Sequence, residues 1–203
     1  KILKPSYAVE GELMAWLAAL PPVFSYTTVE NDTLDLSFKR RCQGILPYNN
    51  KYHIYLSFWL SNAWNNYRSV RIMNNHLILE NLKKLSASKS APYLCSDLQG
   101  QLRIVKDTID RLAEDICASV PYSFGAGAVE YTEGWAPNPD SFLGGYILLW
   151  PLFLAGTTKD RGHPMRVWIT DCLKHIAHNM GIDQALALVD IMESKDPFSS
   201  DTG

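Results

Sequence analysis

Asp171, Cys172, His175 and His178 form the most suggestive group of metal-ligand types in the chain. Helical spacing gathers Asp171, His175 and His178 on one side, where a zinc ion would want converging ligands. Cys172 instead falls in the apolar stripe of Trp168, Ile169, Leu173, Ile176 and Met180. No other segment completes the set with an HxxE or HExxH spacing. A surface Asp–His pair at i, i+4 is therefore expected, and no metal site. Ser123 sits in Pro121-Tyr-Ser-Phe-Gly125, half of a nucleophile elbow, but the preceding glycine and the strand–turn–helix setting are missing. Gly125-Ala-Gly127 lacks the third glycine of a dinucleotide loop and follows a helix rather than a strand. No catalytic or cofactor-binding residue is assigned.

A second cluster holds more promise. On a helical wheel Trp64, Tyr67, Arg68 and Arg71 lie within about 100° of one another. Two guanidiniums among aromatic rings could bind an anionic effector or stack on a planar one. The expected role is structural: Arg71 pairs with a carboxylate of a neighbouring helix, Glu114 or Asp115, because buried arginines are generally paired. Arg68, further towards the polar side, is expected to be dispensable. Lys39-Arg40-Arg41 is a lone basic triplet of a solvated loop.

The elements that must position these residues read as helices nearly throughout. Leu13, Trp16, Leu17 and Leu20 repeat at i, i+3, i+4 and i+7 before Pro21-Pro22 stops the pattern. Residues 23–50 and 125–139 read as long connections. Lys51 to about Leu85 holds no Pro or Gly and predicts one long central helix. Its broad apolar face is Tyr55, Leu56, Trp59, Leu60, Ala63, Tyr67, Val70, Met73, Leu77 and Ile78, with Ile54, Phe58 and Ile72 elsewhere. Leu98, Leu102, Val105, Ile109, Leu112 and Ile116 make an a/d seam that ends at Val120-Pro121. Phe142 to Gly156 is uncharged but too short to span a bilayer, which takes about 20 residues, and predicts a core helix. A further helix runs from about His163 to Met180, with Pro164 in its first turn and Gly181 at the left-handed cap. Asp183 then caps a last helix to about Ile191. No convincing strand alternation is seen. The expected fold is all-α: a single domain of six or seven helices around a long central one.

Composition agrees. Over 203 residues, 47% are apolar, 20% charged and 11% aromatic, which excludes a disordered tail. The 19 basic and 21 acidic residues give −2, the wrong sign for a chain that grips nucleic acid by itself. Cys42, Cys95, Cys117 and Cys172 are scattered without a CxxC, so reduced thiols inside a cell are expected rather than a zinc ribbon or disulfide scaffold. The sequon Asn31-Asp32-Thr33 is taken as fortuitous. The chain opens on Lys1 with no signal-peptide pattern and reads as part of something longer.

Several motifs occur in a telling order. Leu13-x-x-Trp16-x-x-x-Leu20-Pro21 is followed by Tyr52-His53-x-Tyr55 and Trp64-Asn65-x-Tyr67-Arg68-x-x-Arg71-Ile72. Then come Ile116-Cys-x-Ser119-Val120-Pro121-Tyr122 and Gly144-Gly145-Tyr146-x-Leu-Leu-Trp150-Pro151-Leu152. Arg166-x-Trp168-Ile169 and Ile176-x-x-x-Met180-Gly181-Ile182-x-Gln184-Ala185 close the series. It resembles the C-terminal regulatory region of fungal zinc-binuclear-cluster transcription factors, over most of the chain. The resemblance implies a nuclear, non-catalytic regulatory or effector-response domain, acting through protein or small-molecule contacts. Its implied partners are the transcription machinery or a regulatory protein, a second copy, and a small-molecule effector, with no membrane. In that family DNA is bound by an N-terminal six-cysteine zinc cluster. Four scattered cysteines cannot build one, so zinc and DNA contact are expected only in a module outside these residues. The alternatives are an all-α small-molecule receptor or enzyme, and an oligomerisation scaffold marked by a large exposed apolar face.

Overall fold

Apolar helical periodicity carries most of the chain into one helical assembly. The computed structural model describes residues 2–30, 36–87, 95–126 and 139–194. Seven α-helices lie in these segments: α1 (Leu3–Ala18), α2 (Leu36–Arg41), α3 (Phe58–Ala87), α4 (Cys95–Ser123), α5 (Pro139–Gly156), α6 (Pro164–Met180) and α7 (Gln184–Glu193). The fold is mainly all-α and forms a single domain. The central pair is α3 and α4, with α1 on α3, α5 against both, and α6 and α7 layered on α5.

The central helix begins later than its lack of Pro and Gly predicts. Lys51–Ile54 is a strand, β2, paired antiparallel with β1 (Thr27–Glu30) in the register Thr28↔His53 and Val29↔Tyr52. Tyr and Ile suit a pleated backbone. The helix then starts where the Ser57 hydroxyl accepts the Leu60 amide at 3.3 Å. Residues 23–50 are correspondingly more than a connection, since they hold β1, α2 and the single turn Tyr48–Asn50. Of 125–139, only its two ends fall among the described residues.

The face that α3 buries also differs from the apolar one. Of the apolar face Tyr67 and Ile78 are buried, but Trp59, Val70, Met73 and Leu77, with Leu56 just before the helix, are exposed. The buried positions include Asn65, Arg68, Ser69, Arg71, Ile72, Asn74, Asn75, Ile78 and Leu82. The physical reason lies in the neighbours. α1 and α4 present Glu10, the Ser6 carbonyl and Ser119 to this face, so Asn65, Asn74, Asn75 and the Arg71 guanidinium are bonded rather than stranded.

Elsewhere the pattern holds. Val105, Ile109, Leu112 and Ile116 of the α4 seam are buried, and Leu98 and Leu102 pack against the same core. α4 continues past Val120 because Pro121 lies in its last turn, and the Pro121 carbonyl then accepts the amides of Phe124 and Ala126. In α5, Leu148, Leu152 and Ala155 are buried, whereas Phe142, Tyr146 and Trp150 are exposed. Among the described residues no helix is long and apolar enough to cross a membrane. Met165, Ile169, Cys172, Leu173 and Ile176 of α6 face the core. Gly181 takes the left-handed cap at φ 68°. Asp183 occupies the position before α7, but its side chain makes no capping bond.

Candidate effector pocket

The Trp64–Arg71 cluster lines a cavity of about 410 Å³. Its walls come from α1 (Met14, Leu17, Ala18), α3 (Trp64, Tyr67, Arg68, Arg71), α4 (Arg111, Leu112, Asp115) and Tyr26 just before β1. The turn of helix that separates Trp64 from Arg68 and Tyr67 from Arg71 sets both pairs one above the other.

Trp64 is fixed by its indole N–H, which donates to the Phe24 carbonyl at 2.9 Å. Its ring meets Tyr26 edge to face, 4.8 Å between centroids. Tyr67 packs against Trp16 of α1 at 5.4 Å. Arg68 is 1% exposed, which overturns its expected place on the polar side. Its Nη1 donates to the Tyr55 hydroxyl at 2.7 Å and to Asn65 Oδ1 at 2.9 Å. Its guanidinium carbon stands 4.8 Å from the Tyr26 ring centre and 5.5 Å from that of Trp64. Nη2 is buried and has no hydrogen-bond partner. All of this leaves Arg68 a desolvated cation with neutral acceptors.

Arg71 is paired, but with a different acid from the expected Glu114 or Asp115. Its Nε donates to Glu10 Oε1 at 2.8 Å, and its Nη2 makes a second, shorter bond to the same oxygen. Nη1 reaches the Tyr67 hydroxyl at 3.3 Å. Asn75 completes the carboxylate by donating to Glu10 Oε2 at 2.9 Å, while Asn74 holds the Ser6 carbonyl at 3.0 Å. The seam joins α1 to α3, not α3 to α4. Glu10 and Arg71 are 61 residues apart, and only the fold brings them together.

Asp115 serves β2 instead. Its Oδ1 lies 3.7 Å from Lys51 Nζ and 3.5 Å from His53 Nε2. Burial alone would raise its carboxyl, but the His53 ring and the positive charge of Arg68 outweigh that and hold it below the usual carboxylate range. Burial pushes His53 down, with the Arg68 charge adding to it and the Asp115 contact opposing. His53 Nδ1 is 3.1 Å from the Thr28 hydroxyl across the sheet. The Tyr55 phenol is pushed up to about 12 by burial, against the opposing pull of Arg68.

The other sequence candidates do not converge. Asp171 and His178 are exposed, and His175 is half-buried. His178 Nδ1 sits 2.7 Å from the Lys174 carbonyl, and His175 lies beside Asn179 at 3.0 Å. These are contacts within α6. Among the described residues no group of three or more His, Cys, Asp or Glu is placed to hold a metal. Cys42, Cys117 and Cys172 are buried thiols, Cys42 donating to the Pro121 carbonyl, and burial raises Cys117 and Cys172 well above the usual thiol range. Ser123 is buried in the last turn of α4. Lys39 and Arg40 are exposed, on α2 rather than a loop. Gly127, the side chains of Arg41 and Cys95, and the Asn31 sequon lie outside the described residues.

Sequence reasoning missed Arg111, Tyr26 and the α1 wall. Arg111 precedes Leu112 of the a/d seam and could have been placed at its edge, but Tyr26 lies in a stretch without periodicity. Comparison with family models, with characterised proteins and with solved structures finds no match to the chain.

Proposed function

We propose that the chain is a non-catalytic effector-response domain of a zinc-cluster transcription regulator, acting in the nucleus. The observation that carries the proposal is the coincidence of the Trp64-Tyr67-Arg68-Arg71 motif with a cavity large enough for a small molecule. The resemblance of the ordered motifs supports the family, and the cavity offers a means of response. Its lining favours binding over catalysis, because guanidinium heads and rings dominate it and Asp115 is already engaged by Lys51 and His53. DNA contact then falls to a zinc-cluster module elsewhere, in keeping with the net charge of −2.

The exposed stripe of Trp59, Val70, Met73 and Leu77 on α3 supports protein contact as the output. Fusing the chain to an unrelated DNA-binding module in a fungal reporter strain tests the reading. The fusion should raise or lower transcription from the matching promoter relative to the module alone. An unchanged reporter, or sequence-selective DNA binding by the chain alone, overturns it.

A further inference from the structure

We infer that the cavity between α1, α3 and α4 is a receptor site for a planar, largely apolar monocarboxylate of one or two rings. The inference deepens the effector-response reading by naming the ligand class.

Charge is the first argument. Arg68 is almost wholly buried, and among the described residues no carboxylate lies in ion-pair range of it. Buried cations are normally paired with an acid, because hydrogen bonds to neutral oxygens only partly replace water. Arg71 has its acid in Glu10, and Asp115 is drawn towards Lys51 and His53. Arg111 lines the same cavity, is exposed, and makes no hydrogen bond or ion pair among the described residues. Among the described residues neither guanidinium, Arg68 at the wall or Arg111 at the edge, has a carboxylate in ion-pair contact, and Asp115 reaches Arg68 only as a more distant charge. The exposed Arg111 presents a planar fork that matches a carboxylate, and Arg68, whose Nη1 is held by Tyr55 and Asn65, adds its charge from within the wall.

Shape and polarity narrow the class. Trp64, Tyr67 and Tyr26 offer ring faces and edges, and Met14, Leu17 and Leu112 are apolar. About 410 Å³ is at the small end of ligand sites, which suits one or two rings. Asp115 on the same wall disfavours a second negative charge, and so a phosphomonoester. Because Met14, Leu17 and Ala18 form one side, a bound ring would extend the contact that holds α1.

Calorimetric titration of the purified chain with benzoate, cinnamate and 2-naphthoate tests the site, with 2-naphthalenemethanol and 2-naphthyl phosphate as comparisons. At least one carboxylate should bind with 1:1 stoichiometry, roughly tenfold or more tighter than the neutral alcohol, as a charge-assisted hydrogen bond implies. It should also bind tighter than the phosphate and slow amide exchange along α1. Arg111→Gln should melt like wild type yet weaken binding by roughly tenfold. Arg68→Met should weaken it at least as much, and if that variant does not fold, Arg111→Gln decides alone. The inference is overturned if no carboxylate binds, if the alcohol binds as well, if the phosphate binds tighter, or if Arg111→Gln binds normally. Carboxylate binding with a reporter that never responds upholds the site and overturns only the transcriptional reading.

Discussion

Where α5, α6 and α7 meet, the buried side chains are Leu148, Leu152, Ile169, Leu173, Ile176, Val189 and Met192. Arg166 is the polar exception there, and its guanidinium donates to the carbonyls of Lys159 and Met192, each at 2.6 Å. Where α1 meets α3, the chemistry is reversed. The buried groups are Ser6, Arg71, Asn74 and Asn75, closing on Glu10. Of the residues of α1, only Ser6 is buried. Apolar packing degrades gradually, since each lost methylene removes a modest share of the contact. A polar seam does not, because taking away one member leaves the others desolvated and unbonded. The first helix is therefore attached by a polar seam beside the cavity as well as by Leu13, Trp16 and Leu17 on the Trp64–Tyr67 cluster, while the last three helices are held mainly by interchangeable apolar contacts.

The largest expected effect comes from breaking that seam. Arg71→Ala strands Glu10 and should cost about 3–5 kcal/mol, and Glu10→Ala should cost nearly as much by stranding Arg71. Arg71→Lys should rescue little, since a point charge cannot make the forked contact. The double variant should be well short of the sum of the singles, with a coupling above about 1 kcal/mol in denaturant melts. Combining Arg71→Ala with Asp115→Asn should give near-additive losses, because Asp115 pairs with β2 and not with Arg71. Additivity for Glu10 with Arg71 would show that α1 is held by something else.

On the apolar side the sharpest change is one added methyl group. Gly144 of α5 lies against the end of α4, where a Cβ would stand 2.7 Å from the Ser123 backbone oxygen. Backbone cannot swing away, so Gly144→Ala should cost about 1–3 kcal/mol in the same melts. Gly145→Ala and Gly156→Ala meet the flexible ends of Met180 and Met192 instead and should cost less. Equal losses at all three would mean that α4 and α5 can part as easily as a methionine turns. The Gly144-Gly145-Tyr146 motif is in this light a packing device, which identifies a fold better than a site.

That contrast also explains what could be read from the sequence. α4 and α6 face the core with their apolar stripes, so periodicity placed Ile109, Ile116, Ile169 and Ile176 correctly. α3 defeats much of the same reasoning, because its buried face is rich in Asn, Ser and Arg, and of its apolar stripe Tyr67 and Ile78 are buried while Trp59, Val70, Met73 and Leu77 face solvent. Those polar groups become burial-tolerant only when Glu10, Ser119 and Tyr55 arrive from distant segments. The Trp64–Arg71 cluster could be read because its four members share one helix. Its cavity could not, since the opposite walls come from α1 and α4.

The smallest expected effect concerns acid, and it separates the two regions by pH rather than by mutation cost. His53 is buried against Tyr26, Tyr55, Thr28, Asp115, Lys51 and Arg68. Its pKa in the fold is below the ordinary 6.5, through burial first and the Arg68 charge second, with the Asp115 contact opposing them. Below pH 6.5 the unfolded chain therefore takes up a proton that the folded chain resists. Stability falls as pH drops from there towards the folded pKa, by at most about 1.4 kcal/mol per pH unit for this one site. Asp115 acts in the same direction but begins only below its ordinary 3.8, so the two windows are distinct. His53→Gln keeps a neutral polar side chain without the titration, and its stability curve should be flatter between pH 6.5 and 5 whatever its value at pH 7. His76 and His175 also have lowered pKa values, so some slope should remain. An undiminished slope in His53→Gln, with a flattened one in His175→Gln, would move the acid-sensitive point from the wall beside the cavity to the surface of α6.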